Sequence, residues 1–266
     1  MSEQSHRSDP RILNRRTLQH DHRRLVDLLR PGMVVLDVGC GTGAITADIA
    51  RMVSPKGYAV GVDRDNSLLT LARQEHSAVE NLSFENRDVL SLDFEARFDI
   101  VTTARMLQWV SDPIEAIRRL RRATKIGGYV VALDYNHEEN SWTPEPPAEF
   151  LRFYRAFLQW RTTNGWDNRI ADRLPALFQE AGITDVRIHC SDEIVQRDDP
   201  DFFDAAAVWS HVIQSIGAQL VAGGLLYEEE LLMTGECYHQ YVHSSLQRQM
   251  LSMRTVEGKK SPDLAS

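Results

Sequence analysis

Three acids and three glycines give the first chemical signal. In Val34-Val35-Leu36-Asp37-Val38-Gly39-Cys40-Gly41-Thr42-Gly43 an apolar run opens into closely spaced glycines. It then passes into Ile45, Ile49 and Val53, an apolar stripe recurring every fourth residue. Glycines at a strand-to-helix turn let a ligand lie against main-chain N–H groups and a helix N-terminus. Two further apolar runs end in acids, Gly61-Val62-Asp63 and, a little beyond its strand, Asn86-Arg87-Asp88-Val89. The spacing predicts three carboxylates gathered around one glycine turn, with Asp63 placed to accept from ribose hydroxyls. Asp88 is placed to accept from an adenine amino group, with the Val89 N–H beside it. A nucleotide-containing ligand follows.

Two ligand classes fit the glycines alone. Gly39, Gly41 and Ala44 satisfy the dinucleotide fingerprint in its G-x-G-x-x-A form, so an NAD-dependent oxidoreductase is one reading. Asp37 favours the other. A carboxylate two positions before the first glycine would stand against the doubly anionic pyrophosphate of NAD in a partly desolvated cleft. S-adenosylmethionine has no phosphate and carries an ammonium and a sulfonium, so the sign is reversed. Each acid also has a purely structural reading. Asp37 would cap the following turn, Asp63 and Asp65 a helix starting near Ser67, and Asp88 would occupy an ordinary loop.

The elements that must hold these residues alternate along the chain. Strand-like runs at Met33 to Val38, Tyr58 to Val62, Leu82 to Glu85, Phe98 to Thr102, Tyr129 to Leu133 and Asp185 to Cys190 are separated by helical patterns. That alternation predicts an α/β fold built on a doubly wound, mostly parallel sheet. Asp112-Pro113-Ile114-Glu115 reads as a helix start, with Asp112 the cap and Glu115 its reciprocal partner; Gly127-Gly128 reads as the stop. Arg118, Arg119, Arg121 and Arg122, like Arg15, Arg16, Arg23 and Arg24, read as solvated helix sides, and an N-terminal helix is also placed to close over a cofactor. The expected organisation is one domain. Residues 1–30 form an N-terminal helical cap and 31–136 the cofactor-binding core. The helical and aromatic insertions 137–166 and 199–247 form a substrate lid, although most of their aromatics, Trp142 to Trp166, are expected to pack as core. Met250 to Val256 reads as a last strand returning to the sheet.

On these residues the chain resembles the class I S-adenosylmethionine-dependent methyltransferases, in style the small-molecule branch related to ubiquinone and menaquinone biosynthesis. The resemblance rests on Leu36 to Gly43, Asp63, Asp88-Val89, the run from Phe98-Asp99-Ile100-Val101 through Leu107-Gln108-Trp109 to Asp112-Pro113, and Gly127-Gly128. It implies a Rossmann-like seven-stranded sheet. It also implies that Gly39, Gly41 and Gly43 line the methionine part, that Asp63 binds the ribose, and that Asp88 and Val89 hold adenine. Asp37 and Arg64 join these as expected cofactor contacts, as do Arg105 and Gln108 in the segment Ala104 to Gln108, which is expected to face cofactor and acceptor. Many relatives carry histidine where this chain has Gln108, an amide that cannot take a proton at neutral pH.

Composition bounds the rest. The 266 residues are 42% hydrophobic and 26% charged, an ordinary globular balance, and the net charge of -8 works against a nucleic-acid partner. Cys40, Cys190 and Cys237 have no paired spacing for zinc or a disulfide framework, no apolar run is long enough to span a bilayer, and a cytoplasmic location is expected. Methyl transfer from a sulfonium is an in-line displacement that asks for alignment and exclusion of water, and no metal. The expected partner is a small-molecule methyl acceptor, with O, N or C as nucleophile, and the chain a monomer or homodimer. His137, just past the fifth strand, is the candidate base. Its simpler reading is an exposed loop histidine. A binding protein that has lost catalysis is the remaining alternative.

Overall fold

Val35 and Leu36 are neighbours in sequence yet both are fully buried, because successive side chains of a strand point to opposite faces and both faces here are covered. In the computed structural model, which describes residues 10–262, Val35 packs with Leu25, Ile49 and Val53. Leu36 packs on the other side with Ile117, Leu120 and Phe178. Each such side chain contributes roughly 1.5–3 kcal/mol. In chain order the elements begin with the short helices α1 (Pro10–Leu13), α2 (Leu18–Asp21) and α3 (Arg23–Leu28), followed by β1 (Val34–Val38), α4 (Ala44–Val53), β2 (Tyr58–Asp63), α5 (Asn66–Glu75), β3 (Leu82–Asn86) and β4 (Phe98–Ala104). Next come α6 (Pro113–Ala123), β5 (Thr124–Tyr135), β6 (Ser141–Thr143), α7 (Ala148–Thr163), α8 (Ile170–Glu180), β7 (Ile183–Cys190) and β8 (Glu193–Gln196). The last are α9 (Phe202–Ala206), α10 (Val208–Ala222), α11 (Glu228–Ser244), β9 (Arg248–Leu251) and β10 (Met253–Lys260).

The main sheet has seven strands in the order β3-β2-β1-β4-β5-β10-β7. Strands β3, β2, β1, β4 and β5 pair in parallel, and β10 runs antiparallel to β7. The register sets Asp37 of β1 beside Thr102 of β4, while β2 and β3 end together with Asp63 opposite Asn86. The predicted Rossmann-like class is the observed one.

Two compact units divide the chain: residues 10–134, 170–190 and 254–262 form the α/β unit, and 135–169 with 191–253 form a second. The second therefore takes in residues 191–198 and runs past the expected end at 247. Its three-stranded antiparallel sheet has the order β6-β9-β8. The predicted aromatics are its core: Phe150 stacks on Tyr238 at 4.4 Å, and Trp209 meets Trp142, Tyr154 and Phe157 at 5.9, 5.0 and 5.6 Å.

Three local expectations need correction. The Asp112 carboxylate does accept from the Glu115 N–H, but Glu115 spends its own carboxylate on Arg119 at 2.6 Å, one helical turn on, and not on the cap. Helix α6 stops at Thr124, whose amide returns to Leu120 and Arg121, so left-handed Gly127 lies inside β5 and is not the helix stop. Met250 to Val256 is two strands in two sheets, broken where the Ser252 amide turns to Asn140 Oδ1 at 2.7 Å.

Candidate active site

The glycine loop is built by close approach. Gly39 has φ +78°, and a Cβ there would lie 2.5 Å from Met106 Cγ, which no side chain tolerates. A Cβ on Gly41 would meet Leu13 of α1 at 2.8 Å. The loop's amides are turned inward. Gly39 and Cys40 both donate to the Val62 carbonyl (2.8 and 3.1 Å), Gly43 donates to the Cys40 carbonyl at 2.9 Å, and Gly41 donates to Asp63 Oδ2 at 2.9 Å. The expectation that ligand would rest on these N–H groups is therefore corrected. The loop is a close-packed floor, and no cradle of spare donors of the kind a pyrophosphate needs is formed by these four amides.

Acidity surrounds that floor. Asp37 is buried at the end of β1, with Oδ2 accepting from the Thr46 hydroxyl of α4 at 2.6 Å. Burial pushes its carboxyl up to about 6, the Thr46 bond opposes that, and the nearby Asp63 adds to it. Asp63 uses Oδ1 on the Asp65 N–H and Oδ2 on the Gly41 N–H, both at 2.9 Å, and burial raises its carboxyl as well. Each oxygen keeps a further lone pair, so ribose hydroxyls remain within its chemistry. Asp65, not Asp63, caps α5.

A cleft of ≈ 330 Å³, its open mouth included, lies on this floor, lined by Leu13, Arg16, Asp37, Gly39, Cys40, Ala44, Ile45 and Ala104. Asp37 and Gly39 were legible in the sequence, and so was Ala104 as the start of the segment expected to face the cofactor, whereas Leu13, Arg16, Cys40 and Ile45 were not singled out for it. A glycine with no room for a Cβ, an acid at the strand end and apolar walls fit the adenosyl amino-acid cofactor expected from the sequence.

The remaining expected contacts are more scattered. Asp88 caps the short turn Val89–Ser91 by accepting from the Leu90 N–H at 2.7 Å, and the Val89 side chain is core. Arg64 is exposed beside Asp63. Arg105 is buried in a left-handed conformation (φ +58°), its amide on the Leu133 carbonyl at 2.7 Å and its guanidinium on Asp21 of α2. Gln108 is buried too, donating its amide to Asp134 Oδ2 (3.1 Å) and its side chain to the Arg105 carbonyl (3.1 Å). His137, in the second unit, is buried and not an exposed loop residue. Its ring stacks on Tyr135 at 4.9 Å and meets Phe157 edge-on at 5.5 Å. Burial, with the Arg161 charge beside it, holds its pKa well below the usual value, so the imidazole is neutral and weakly basic.

Residues 29–172 match the methyltransferase domain family, more than half of the chain. The chain belongs to that family. It is a methyltransferase of the class I, S-adenosylmethionine-dependent kind, and the oxidoreductase reading is set aside. It is similar to demethylmenaquinone methyltransferase of Staphylococcus aureus, 27% identical over 172 residues that cover 60% of this chain and 71% of the relative. Among solved structures it resembles the YcgJ protein of Bacillus subtilis (TM-score 0.57, 18% identity, 92% of this chain and 99% of that one). It also resembles a Haemonchus contortus phosphoethanolamine N-methyltransferase in complex with S-adenosylhomocysteine (TM-score 0.56, 16% identity, 91% of this chain). The chain spans 53% of the length of that enzyme. These structural likenesses concern the fold. No helix among the described residues is long and apolar enough to cross a membrane.

Proposed function

We propose that the chain transfers the methyl group of S-adenosylmethionine to a small organic acceptor by in-line displacement. The supporting observation is a cleft lined by Asp37 and Gly39, on a loop whose amides turn inward and whose Gly41 N–H is taken by Asp63. Such a floor repels phosphate and suits a ligand whose charges are an ammonium and a sulfonium. When bound, the cofactor supplies a methyl group on a positively charged sulfur. Asp37 faces the ammonium, and Asp63 takes the ribose hydroxyls while keeping the loop in register through Gly41. Ala44, Ile45 and Ala104 exclude water. We assign the proton removal that an oxygen or carbon acceptor needs to no group in the α/β unit, and the low basicity of His137 argues against that role for it. The resemblance to a quinone-ring methyltransferase supports an aromatic or enolic acceptor.

The test is calorimetric. Asp63→Ala removes a charged acceptor whose hydrogen bonds are worth roughly 1.5–3 kcal/mol, so the Kd for S-adenosylhomocysteine is expected to rise on the order of tenfold to a hundredfold. An unchanged Kd overturns the ribose role. A screen of phenolic, enolic and amine acceptors with radiolabelled cofactor then identifies the nucleophile.

A further inference from the structure

Helix α11 of the second unit buries Tyr238, Tyr241 and Val242 and leaves His239 and His243 exposed, one helical turn apart. The two rings lie 4.4 Å apart, centre to centre, and are tilted by 54°. Neither imidazole forms a hydrogen bond or an ion pair among the described residues, so their ring nitrogens are uncommitted. The His243 end is braced. Its ring stacks on Phe203 of α9 at 5.0 Å, and Arg197, whose guanidinium lies 4.8 Å from the Phe203 ring, donates to the carbonyls of Val242 and His243 at 2.6 and 2.9 Å. Those bonds satisfy carbonyls that the end of a helix leaves over, and they hold the last turn in place.

Two imidazoles four residues apart on one helix face can share a single metal ion. Bond lengths select the geometry. A metal–nitrogen bond of about 2.1 Å puts the ion roughly 3.2 Å from each ring centre, so two rings at a right angle around it stand about 4.5 Å apart. A tetrahedral angle would set them at about 5.2 Å. The observed 4.4 Å fits the right angle, the cis arrangement of square-planar or octahedral coordination. No third histidine, cysteine or carboxylate completes a metal-holding group among the described residues, so the other positions fall to water. We propose that His239 and His243 form a two-imidazole site for a late first-row divalent ion, Ni²⁺ or Cu²⁺, on the exposed face of α11. The site stands apart from methyl transfer, which asks for no metal, and does not depend on the cofactor reading. An ion there bridges two successive turns and binds the folded helix better than the unfolded chain, so it raises the stability of the second unit.

The test uses the full chain without a purification tag. Wild type, His239→Gln and His243→Gln are titrated with NiCl₂ in a calorimeter, and wild type is expected to bind Ni²⁺ with a micromolar Kd. Removing a ligand costs at least what removing a ligand's outer partner does, so each variant is expected to bind on the order of tenfold to a hundredfold more weakly. Cu²⁺ is expected to bind wild type more tightly than Ni²⁺. Electron paramagnetic resonance of the Cu²⁺ complex is expected to show coupling to two imidazole nitrogens in wild type and to one in either variant, a change that loss of fold alone would not produce. Both substitutions are at exposed positions, so the melting temperatures without metal are expected to match, and Ni²⁺ is expected to raise that of wild type alone. Wild type that binds no Ni²⁺, or variants that bind it equally well, overturn the inference.

Discussion

The two units of this chain solve burial in opposite ways. In the α/β unit the informative residues are small or charged. Gly39 and Gly41 bring backbone against Met106 and Leu13, while Asp37 and Asp63 stay buried or nearly so because hydroxyl and amide donors meet them. In the second unit the interior is aromatic, with Trp142, Phe150, Tyr154, Phe157, Trp209 and Tyr238 in mutual ring contact. Fully buried Arg161, a large cation in that interior, gives Nε to Asn168 Oδ1 at 2.7 Å. A glycine or a buried acid tolerates few substitutes, whereas an aromatic core accepts many residue types of similar volume. The first unit is thus specified by chemistry and the second by shape.

The sharpest way to break this comparison is to hollow the aromatic core. Phe150→Ala deletes a fully buried ring stacked on Tyr238 and is expected to cost about 3–5 kcal/mol. Scanning calorimetry is expected to show an early transition, while S-adenosylhomocysteine affinity below that transition stays within threefold of wild type. A single transition with binding lost at every temperature breaks the division into two energetic units.

A smaller effect belongs to the acids. Burial raises Asp37 to about 6, so between the ordinary value near 3.9 and that value the folded chain keeps a proton that the unfolded chain releases. Its contribution is full below that window and is lost as pH rises through it, on the order of 1–3 kcal/mol in all. Asp63, raised for the same reason, adds a slope of the same sign. Urea melts from pH 4 to 7 are expected to show stability falling and then levelling, and Asp37→Asn is expected to flatten part of the fall; an identical slope in the variant overturns the assignment. A cationic ligand opposes the shift, so cofactor affinity is expected to climb over the same interval.

The smallest effect is a control on the α/β unit away from its cleft. Asp112→Ala removes the cap of α6 and is expected to cost about 1 kcal/mol with no change in cofactor affinity. A change in affinity would show that the stability of this unit and its site are not separable.

Much of the α/β unit was legible because its signals are local. The glycine spacing, the strand-end acids and Asp112-Pro113 need only their immediate neighbours to be read. The bonds that Arg105 and Gln108 form were not legible, since their partners Asp21 and Asp134 are fixed by tertiary contact. Arg16 was read as solvated for the same reason: a short N-terminal segment reveals nothing about the loop it will meet until Leu13 finds Gly41. His137 looked exposed among Asn136, Glu138 and Glu139, yet Tyr135 and Phe157 cover its ring. Polarity of flanking residues is a poor guide when an aromatic core supplies the cover.

Strand β10 sits between β5 and β7, so β7 is joined to the sheet only through a segment ending at Lys260. The five parallel strands, by contrast, are all contained in residues up to Tyr135. During synthesis, parallel pairing is open to the emerging chain early, whereas the far margin must wait for the final strand to be inserted. Such long-range closure is slow in general. Refolding is accordingly expected to begin in the strands that carry the carboxylates and to finish with β10, so the floor of the cleft is laid before the sheet has both its borders.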